Sequence, residues 1–179
     1  PAEVPVARRD QPSPFSRHGH SVAGAIKPEL VAYGGNWAVN TRAGANMLVP
    51  NSGLGELSTH RGFAGGRLFA DESGTSMAAP HVAHLAATLV AEHPEADSNL
   101  IRALLVANAA MPNACPELLT DREALRKICG YGQVDVQALP RSLENAVTLM
   151  AADRITNKRH HFYEAPIPYE FMSSGRRPR

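Results

Sequence analysis

The most restrictive feature of the sequence is the stretch SGTSMAAPHVAHLAATL, residues 73–89. From about Ser76 to Glu92, apolar residues fall on every face of the helix that this stretch predicts. A helix without a polar face is stable in a globular protein only when other elements cover it on all sides. The sequence therefore predicts a buried helix, whose alanines would let neighbouring elements approach closely.

One polar side chain, that of Ser76, stands at the start of this apolar helix. The first turn of a helix offers unpaired N–H groups and a positive dipole end, which suit a nucleophile whose reaction develops an oxyanion. Gly74 adds backbone freedom, and Pro80 falls where a missing N–H costs little. A serine at this place is also typical of an N-cap, so both interpretations stay open. The motifs G-x-S-x-G and S-x-x-K are excluded because Ala78 and Ala79 stand where they need glycine and lysine.

Two further helices follow the apolar one. PEADSNLIRALLVANAA predicts a helix capped by Asp97 or Ser98. TDREALRKICG predicts a helix capped by Thr120 or Asp121 and ended by Gly130.

Strands are predicted at fewer places. The apolar run at residues 30–33, stopped by two glycines, favours a buried strand, whereas residues 1–25 and 36–56 are predicted to be irregular. ELSTHRG and GRLFADESG predict a short strand and the approach to the serine. After GYGQVDVQAL the pattern changes, and NAVTLMAADRI and HHFYEAPIPYEF are strand-like. The order of elements indicates a mixed α/β protein followed by a segment of different character.

Composition argues against several classes of protein. The chain has 179 residues, which suits one domain or one domain plus an extension. Its formal net charge of +1 argues neither for nor against a nucleic-acid partner. No apolar run is long enough to predict a membrane span, and no leader with a charged and then an apolar part is visible.

The candidate ligands do not predict a metal site. Cys115 and Cys129 are too few for a disulfide framework and favour a reducing compartment; two buried thiols or one structural disulfide both fit them. His160 and His161 lack further ligands at metal-binding spacing, so a surface pair is favoured. No cluster of acids predicts a calcium site. We therefore expect neither a metal nor a cofactor.

Residues 74–83, GTSMAAPHVA, resemble the serine motif of the subtilisin-like serine proteases and fill its pattern, Gly-Thr-Ser-Met-Ala-x-Pro-His-Val-Ala, at every position. PFSRHG is similar to the family's Phe-Ser-x-x-Gly segment, and IKPELVAYGG to its Lys-Pro-Glu-x-x-Ala-Pro-Gly strand, with Tyr33 where proline is usual. GYGQVDVQAL resembles the closing turn of the family. The resemblance covers about residues 12–140 in family order, and the tail is similar to a strand-rich extension of some intracellular bacterial members.

This resemblance implies peptide-bond hydrolysis with Ser76 as the nucleophile. The backbone N–H of Ser76 would supply one donor of the oxyanion hole, and Gly74 and Thr75 would support the neighbouring edge of the pocket. His81 belongs to the motif but lies about 140° round the helix from the serine. We expect His81 to pack against neighbouring residues rather than to act as the base.

The partners of the serine are harder to find. The family's triad runs Asp, His, Ser along the chain, and residues 1–75 hold no Asp-Ser/Thr-Gly motif. HGHSVAG imitates the His motif, His-Gly-Thr-x-Val-Ala-Gly, with His20 in place of threonine. His18 stands too close to Ser76 along the chain, and its neighbours resemble a later family segment. A structural role is therefore favoured for His18, and a role as the base is the alternative. The family's oxyanion asparagine would fall before Pro1.

These observations define the expected fold. It is α/β: the C-terminal portion of a subtilisin-like, mainly parallel sheet with flanking helices, followed by the start of a strand-rich extension. Residues 1–140 would be the C-terminal part of the peptidase domain, and residues 141–179 the start of the extension. Exposed apolar surface at the missing strands would make the chain depend on a partner for stability.

The expected function is that of a serine endopeptidase acting on polypeptides, represented by its nucleophile-bearing fragment. The N-terminal remainder of the same protease would be the partner, without nucleic acid or membrane, and the fragment alone would be nearly inactive. A non-catalytic binding or regulatory module that kept the fold is the alternative. The tail favours a cytoplasmic over an extracellular location.

Overall fold

The computed structural model describes residues 3–42, 47–136 and 149–164. The chain divides into two compact units, Pro1–Arg141 and Ser142–Arg179. The described elements of the first unit are, in chain order, β1 (Glu3–Pro5), β2 (Trp37–Asn40), β3 (Met47–Pro50), β4 (Glu56–Thr59), β5 (Phe69–Glu72), α1 (Thr75–Glu92), α2 (Ser98–Ala107), β6 (Ala109–Ala110), α3 (Cys115–Leu118), α4 (Arg122–Cys129) and β7 (Gln133–Val134). Single 3-10 turns lie at Val22–Gly24 and Phe63–Gly65.

The strand ladders of the described residues are antiparallel. Strands β1, β2 and β3 form one sheet, β4 pairs with β5, and β6 pairs with β7. One parallel bridge joins Val31 to Gln133, within the run predicted to be a buried strand. The unit thus combines helices with small sheets, which is consistent with the predicted α/β class. A mainly parallel, subtilisin-like sheet is not found among the described residues and stays a prediction.

The prediction of an irregular segment over residues 36–56 is wrong at β2, at β3 and at Glu56, the first residue of β4. Strand β2 pairs with β3 in a register that places Trp37 opposite Pro50, and β1 adds to the other edge of β2. The loop predicted for residues 1–25 is therefore wrong at β1. These strands have three or four residues each, too few for a two-residue alternation to be recognised.

The predicted helices are confirmed. Helix α1 begins one residue before its predicted start and ends at Glu92. The Asp97 carboxylate caps α2 and accepts a hydrogen bond from the N–H of Leu100 at 2.8 Å. Asp121 caps α4 in the same way, and α4 ends at Gly130, whose φ of 60° lies in the left-handed region. The short helix α3 was not predicted, since its four residues are too few for a periodic pattern.

Two apolar clusters support the segment that leads from Leu30 towards the serine helix. The first cluster joins α1 to α2, and its buried members are Leu89, Ile101, Leu104, Leu105 and Val134. The second belongs to α3 and α4, and its buried members are Cys115, Leu125 and Cys129. Leu30 packs against the first cluster and Val31 against the second. This segment is therefore fixed by side chains on both sides.

The described residues do not bury helix α1 on all of its faces. The prediction of a buried helix is therefore wrong within the described part of the chain. Leu89 is its one buried residue, at 1% exposure. Ala79, Ala83, Ala87 and Val90 are exposed. The reason is that α2 covers one side of α1, and no described element covers the alanine-rich side. This leaves an apolar helix face without a partner among the described residues.

An ion-pair cluster ties the same supporting segment to α2. The Glu29 carboxylate accepts a hydrogen bond from Arg102 and lies 3.0 Å from Lys27 Nζ. The hydrogen bond from Arg102 has the largest effect on the Glu29 carboxyl, and that from Lys27 has the next largest. Both hold the pKa of this carboxyl below its usual value near 4.5. A carboxyl with a lowered pKa in the folded state stabilises that state above its unfolded pKa, and this stability is lost as the pH falls through the lowered pKa.

We expect Glu29→Gln to lower the free energy of unfolding at pH 7 by up to about 1 kcal/mol, a modest amount because Arg102 is largely exposed. The difference from the wild type should vanish once the pH falls below the lowered pKa, since Glu29 is then neutral too. Urea unfolding between pH 7 and pH 2 measures this convergence. Glu95→Gln, on an exposed carboxylate, is the matched control. A difference that stays constant over the whole range would show that glutamine disturbs packing instead.

The described part of the second unit, residues 149–164, contains no helix or strand. The strand-like prediction for NAVTLMAADRI and HHFYEAPIPYEF therefore fails in residues 149–155 and 160–164, and its remaining residues lie outside the described ones. Asp153 Oδ2 lies 3.3 Å from His161 Nδ1 in this unit. The predicted boundary at residue 140 stays a prediction.

Candidate active site

Ser76 is the second residue of α1, and Gly74 holds the N-cap position before it. Gly74 has an extended backbone and no side chain to donate or accept, and its carbonyl accepts a hydrogen bond from the N–H of Met77 at 2.9 Å. The interpretation of Ser76 as an N-cap is therefore wrong. The serine stands inside the first helical turn, with its side chain exposed.

The Ser76 hydroxyl and the first N–H groups of α1 have no hydrogen-bond partner among the described residues. The Ser76 hydroxyl makes no hydrogen bond to any residue that the structure describes, and no described carbonyl accepts the N–H of Thr75 or of Ser76. N–H groups in the first turn lie at the positive end of the helix dipole. This arrangement can both present a nucleophile and stabilise a negative oxygen beside it.

The backbone before Ser76 is held by a second segment, residues 34–36, which we call the clamp. The N–H of Gly74 donates to the carbonyl of Gly34 at 2.7 Å, and Ser73 Oγ donates to the carbonyl of Asn36 at 3.1 Å. The N–H of Asn36 in turn donates to the carbonyl of Leu54 at 2.8 Å. The position of the serine is therefore set by residues remote from it in the sequence.

Glycine at position 34 is required by space. A Cβ there would lie 2.6 Å from the carbonyl oxygen of Gly74 and 3.2 Å from the Cβ of Ala78. A Cβ on Gly55 would likewise lie 2.8 Å from the carbonyl oxygen of Glu72, just before the serine loop. The loop thus fits between two close-packed backbones.

His81 lies outside the immediate surroundings of Ser76. Its Nε2 lies 3.6 Å from Glu56 Oε2 on β4, and its side chain is largely exposed. The expectation that His81 packs against neighbouring residues is therefore wrong, because its side chain lies on the surface near the Glu56 carboxylate. This contact joins α1 to the β4–β5 hairpin that precedes the serine.

The structure does not bring His18 to Ser76. His18 is exposed and makes no hydrogen bond or ion pair with any described residue. His20 instead pairs with Glu123 at 2.8 Å, and this contact, with that of Lys127, holds the pKa of the Glu123 carboxyl below its usual range. No histidine or carboxylate among the described residues forms a hydrogen bond to Ser76. A complete triad is therefore not assembled within the part of the chain that the structure describes.

A cavity of about 1190 Å³ lies against α1. Thr75, Ala78, Ala79 and Val82 line it from the helix, and much of the opposite wall comes from the segments around Arg8–His20 and Pro28–Asn36. Ser76 is not among the lining residues. The cavity therefore lies beside the serine helix and does not itself present the hydroxyl.

Sequence patterns place Gly74, Thr75 and Ser76 together, and the structure sets them in one loop and helical turn. Sequence patterns do not show that the clamp holds the serine loop. The signals at the clamp are the two glycines that stop the apolar run at residue 33 and the end of the family-like segment IKPELVAYGG. Within the described residues, no group of three potential metal ligands is found. The described helices include none with the length and apolarity that a membrane span requires.

The fold and the site define an α/β domain with a serine in the first turn of a helix. The hydroxyl of this serine has no hydrogen-bond partner among the described residues, as suits the nucleophile of a serine hydrolase. The model of the subtilase family matches residues 5–132. The chain therefore belongs to the subtilase family, and this confirms the resemblance noted in the sequence. It is a peptidase-like protein.

A relative extends the similarity over nearly the whole chain. The uncharacterized protein y4bN of Sinorhizobium fredii (strain NBRC 101917 / NGR234) is 36% identical over 178 residues, which are 96% of this chain and 40% of the relative. The chain thus spans about 40% of the length of this relative.

Proposed function

We propose that the chain is the nucleophile-bearing part of a subtilisin-type serine endopeptidase. The observation that carries this proposal is the position of Ser76. It stands in a complete family motif, at the start of α1, and its hydroxyl and the N–H groups of Thr75 and Ser76 have no hydrogen-bond partner among the described residues. These features support a catalytic serine over a capping one.

The chemistry follows from this geometry. Ser76 Oγ attacks the carbonyl carbon of the peptide bond, and its proton passes to a histidine base. The carbonyl oxygen becomes an oxyanion, which the Ser76 N–H stabilises, while Thr75 and Gly74 keep the backbone at the edge of the pocket. The base then protonates the leaving amine, and water hydrolyses the acyl-enzyme and restores the serine.

The base, its aspartate and the oxyanion asparagine belong, in this proposal, to another part of a longer protein. Two observations support that assignment: no described side chain forms a hydrogen bond with the Ser76 hydroxyl, and the relative is much longer than this chain. The same remainder would complete a parallel sheet at Val31 and cover the exposed face of α1. The chain by itself is then nearly inert.

Labelling with a fluorophosphonate, which reacts with activated serines, tests the proposal. We expect labelling of the intact protein, none of Ser76→Ala, and none of the 179-residue chain alone. Labelling of the isolated chain would contradict the proposal that the base lies in another part of the protein. His18 would then become the candidate base. Absence of labelling in a folded intact protein would favour the non-catalytic binding module.

A further inference from the structure

The two cysteines of the chain meet in the second apolar cluster, far from the serine in the sequence. Cys115 begins α3 and Cys129 ends α4, and their Sγ atoms lie 3.6 Å apart. Both residues are buried, at 2% and 1% exposure, and both are free thiols. Val31, Met111, Leu119 and Ile128 pack around them, so the pair has apolar surroundings.

The two thiols are oriented towards each other by hydrogen bonds. The Cys129 thiol donates to Cys115 Sγ, and the Cys115 thiol donates to the carbonyl of Asp10 at 3.2 Å. A disulfide needs its two sulfurs about 2.05 Å apart, so closure requires a relative movement of about 1.5 Å. Side-chain rotation together with a small shift of the ends of α3 and α4 supplies a movement of this size.

We propose that Cys115 and Cys129 form a reversible redox pair, a dithiol in reducing surroundings and an intrachain disulfide in the presence of a low-molecular-weight disulfide such as oxidised glutathione. Nothing in the proposed peptidase chemistry uses these thiols. The inference is therefore independent of the proposed function.

The exchange reaction assigns different roles to the two cysteines. The Cys115 thiolate attacks one sulfur of oxidised glutathione, forms a mixed disulfide and releases glutathione thiolate, which takes up the proton. Cys129, after losing its own proton, attacks Cys115 Sγ, forms the intrachain bond and releases the second glutathione. Two protein thiols are oxidised and one glutathione disulfide is reduced to two thiols.

Cys115 is the attacking thiol because of the hydrogen bond between the pair. Burial raises the pKa of both thiols, that of Cys129 to about 12, and the hydrogen bond from Cys129 favours the Cys115 thiolate. Little Cys115 thiolate is present at neutral pH, which slows oxidation, and a protein thiolate of raised pKa is a poor leaving group, which slows reduction. A disulfide that has formed is therefore retained for long after the oxidant is removed.

The disulfide would stabilise the support of the candidate active site. The residue after Cys129 packs against Glu29, and the carbonyl of Gly132 accepts the N–H of Val31 at 2.9 Å. The segment fixed in this way continues to the clamp at residues 34–36. The bond would close a loop whose ends are 14 residues apart, which for a loop of this length shifts the folding equilibrium by about a hundredfold.

The test uses the intact protein, incubated with an excess of either oxidised glutathione or dithiothreitol. Remaining thiols are alkylated in denaturant after acid quenching, and tryptic peptides are analysed by mass spectrometry. Trypsin cuts between the two cysteines, after Arg122, Arg126 and Lys127, so an intrachain disulfide appears as two linked peptides. We expect that linked pair only in the oxidised sample. Its rate of formation should be at least about tenfold lower than the rate at which oxidised glutathione reacts with a solvent-exposed cysteine in a model peptide.

A thermal measurement supplies the second readout. The midpoint of unfolding should be about 5–10 °C higher for the oxidised than for the reduced wild type. It should not depend on the redox buffer in the Cys115→Ala/Cys129→Ala variant. The wild-type peptide analysis stands even if this variant fails to fold.

Three outcomes would overturn the proposal. They are full alkylation of both cysteines after prolonged oxidation, a stable glutathione adduct on either cysteine without the linked pair, and a disulfide from either cysteine to a cysteine elsewhere in the protein. None of these outcomes bears on labelling at Ser76, so failure of the redox pair leaves the proposed peptidase function intact.

Discussion

Replacing Ser76 by alanine in the intact protein is expected to lower peptide-bond hydrolysis by about 10⁴-fold or more, to a residual rate set by binding alone. The reason is that alanine removes the attacking Oγ, which the first turn of α1 presents with no hydrogen-bond partner among the described residues. The rate of cleavage of fluorescently labelled casein measures the loss, with unfolding by heat or urea as the check on structure. Ser76 is exposed, so alanine should leave stability nearly unchanged.

Two further variants serve as a matched control and as a test of the alternative base. Ser98→Ala removes an exposed serine from the first turn of α2 and should keep full activity, because Asp97 and not Ser98 caps that helix. His18→Ala should also keep activity, since His18 makes no hydrogen bond or ion pair with any described residue. Loss of activity in a folded His18→Ala protein would show that this histidine is the base. Unchanged cleavage in Ser76→Ala would remove Ser76 from the mechanism.

Gly34→Ala is expected to lower activity by about 10²-fold without touching any catalytic group. The added Cβ would lie 2.6 Å from the carbonyl oxygen of Gly74 and 3.2 Å from the Cβ of Ala78, so the clamp and the serine loop have to separate. A displacement of about 1 Å at a nucleophile costs about that factor in rate. The loss should appear in the rate of fluorophosphonate labelling as well as in peptide cleavage, because both depend on the position of Ser76 Oγ.

The matched control is Gly65→Ala, at a glycine where an added Cβ meets nothing within 4 Å. It should label and cleave like the wild type. Circular dichroism separates a displaced loop from a failure to fold, since Gly34→Ala should keep its helical signal. Wild-type labelling in Gly34→Ala would show that the clamp does not position the serine.

The parts of the fold that follow from local signals were predictable. Helices α2 and α4 are marked by aspartate caps, and Gly130 ends α4 in a left-handed conformation that few other residues adopt. The start of α1 could be predicted to within one residue. In each case the information lies within one or two turns of the chain.

The strands and the exposure of α1 could not be predicted in this way, because both depend on distant residues. Strand β2 exists because β1 and β3 pair with its two edges, and its own four residues carry little pattern. The apolar faces of α1 predict burial, but burial needs a covering element, and the described residues supply one on a single side. The sequence shows which faces of a helix are apolar, whereas the elements packed against the helix determine how many of those faces are buried.

The residues of the candidate site also fall into those that local sequence predicts and those that it does not. Ser76, Thr75 and Gly74 are consecutive and form a recognisable motif. Gly34 is the last glycine but one of the family-like segment IKPELVAYGG, but neither that motif nor the identity of Asn36 shows that the two residues hold the serine loop, because they act through backbone carbonyls. Any residue type that the space allows could supply such a carbonyl, so chemistry alone does not mark these positions.

The clamp also bears on the order in which a newly made chain acquires its parts. Ser73 and Asn36, which one of its hydrogen bonds joins, are 37 residues apart, so their contact requires a large loop to close. The backbone hydrogen bonds of α1 join residues close in sequence, and contacts between distant residues generally form later in folding. In the proposed peptidase, the serine would thus enter a helical turn before the clamp fixes the loop in front of it.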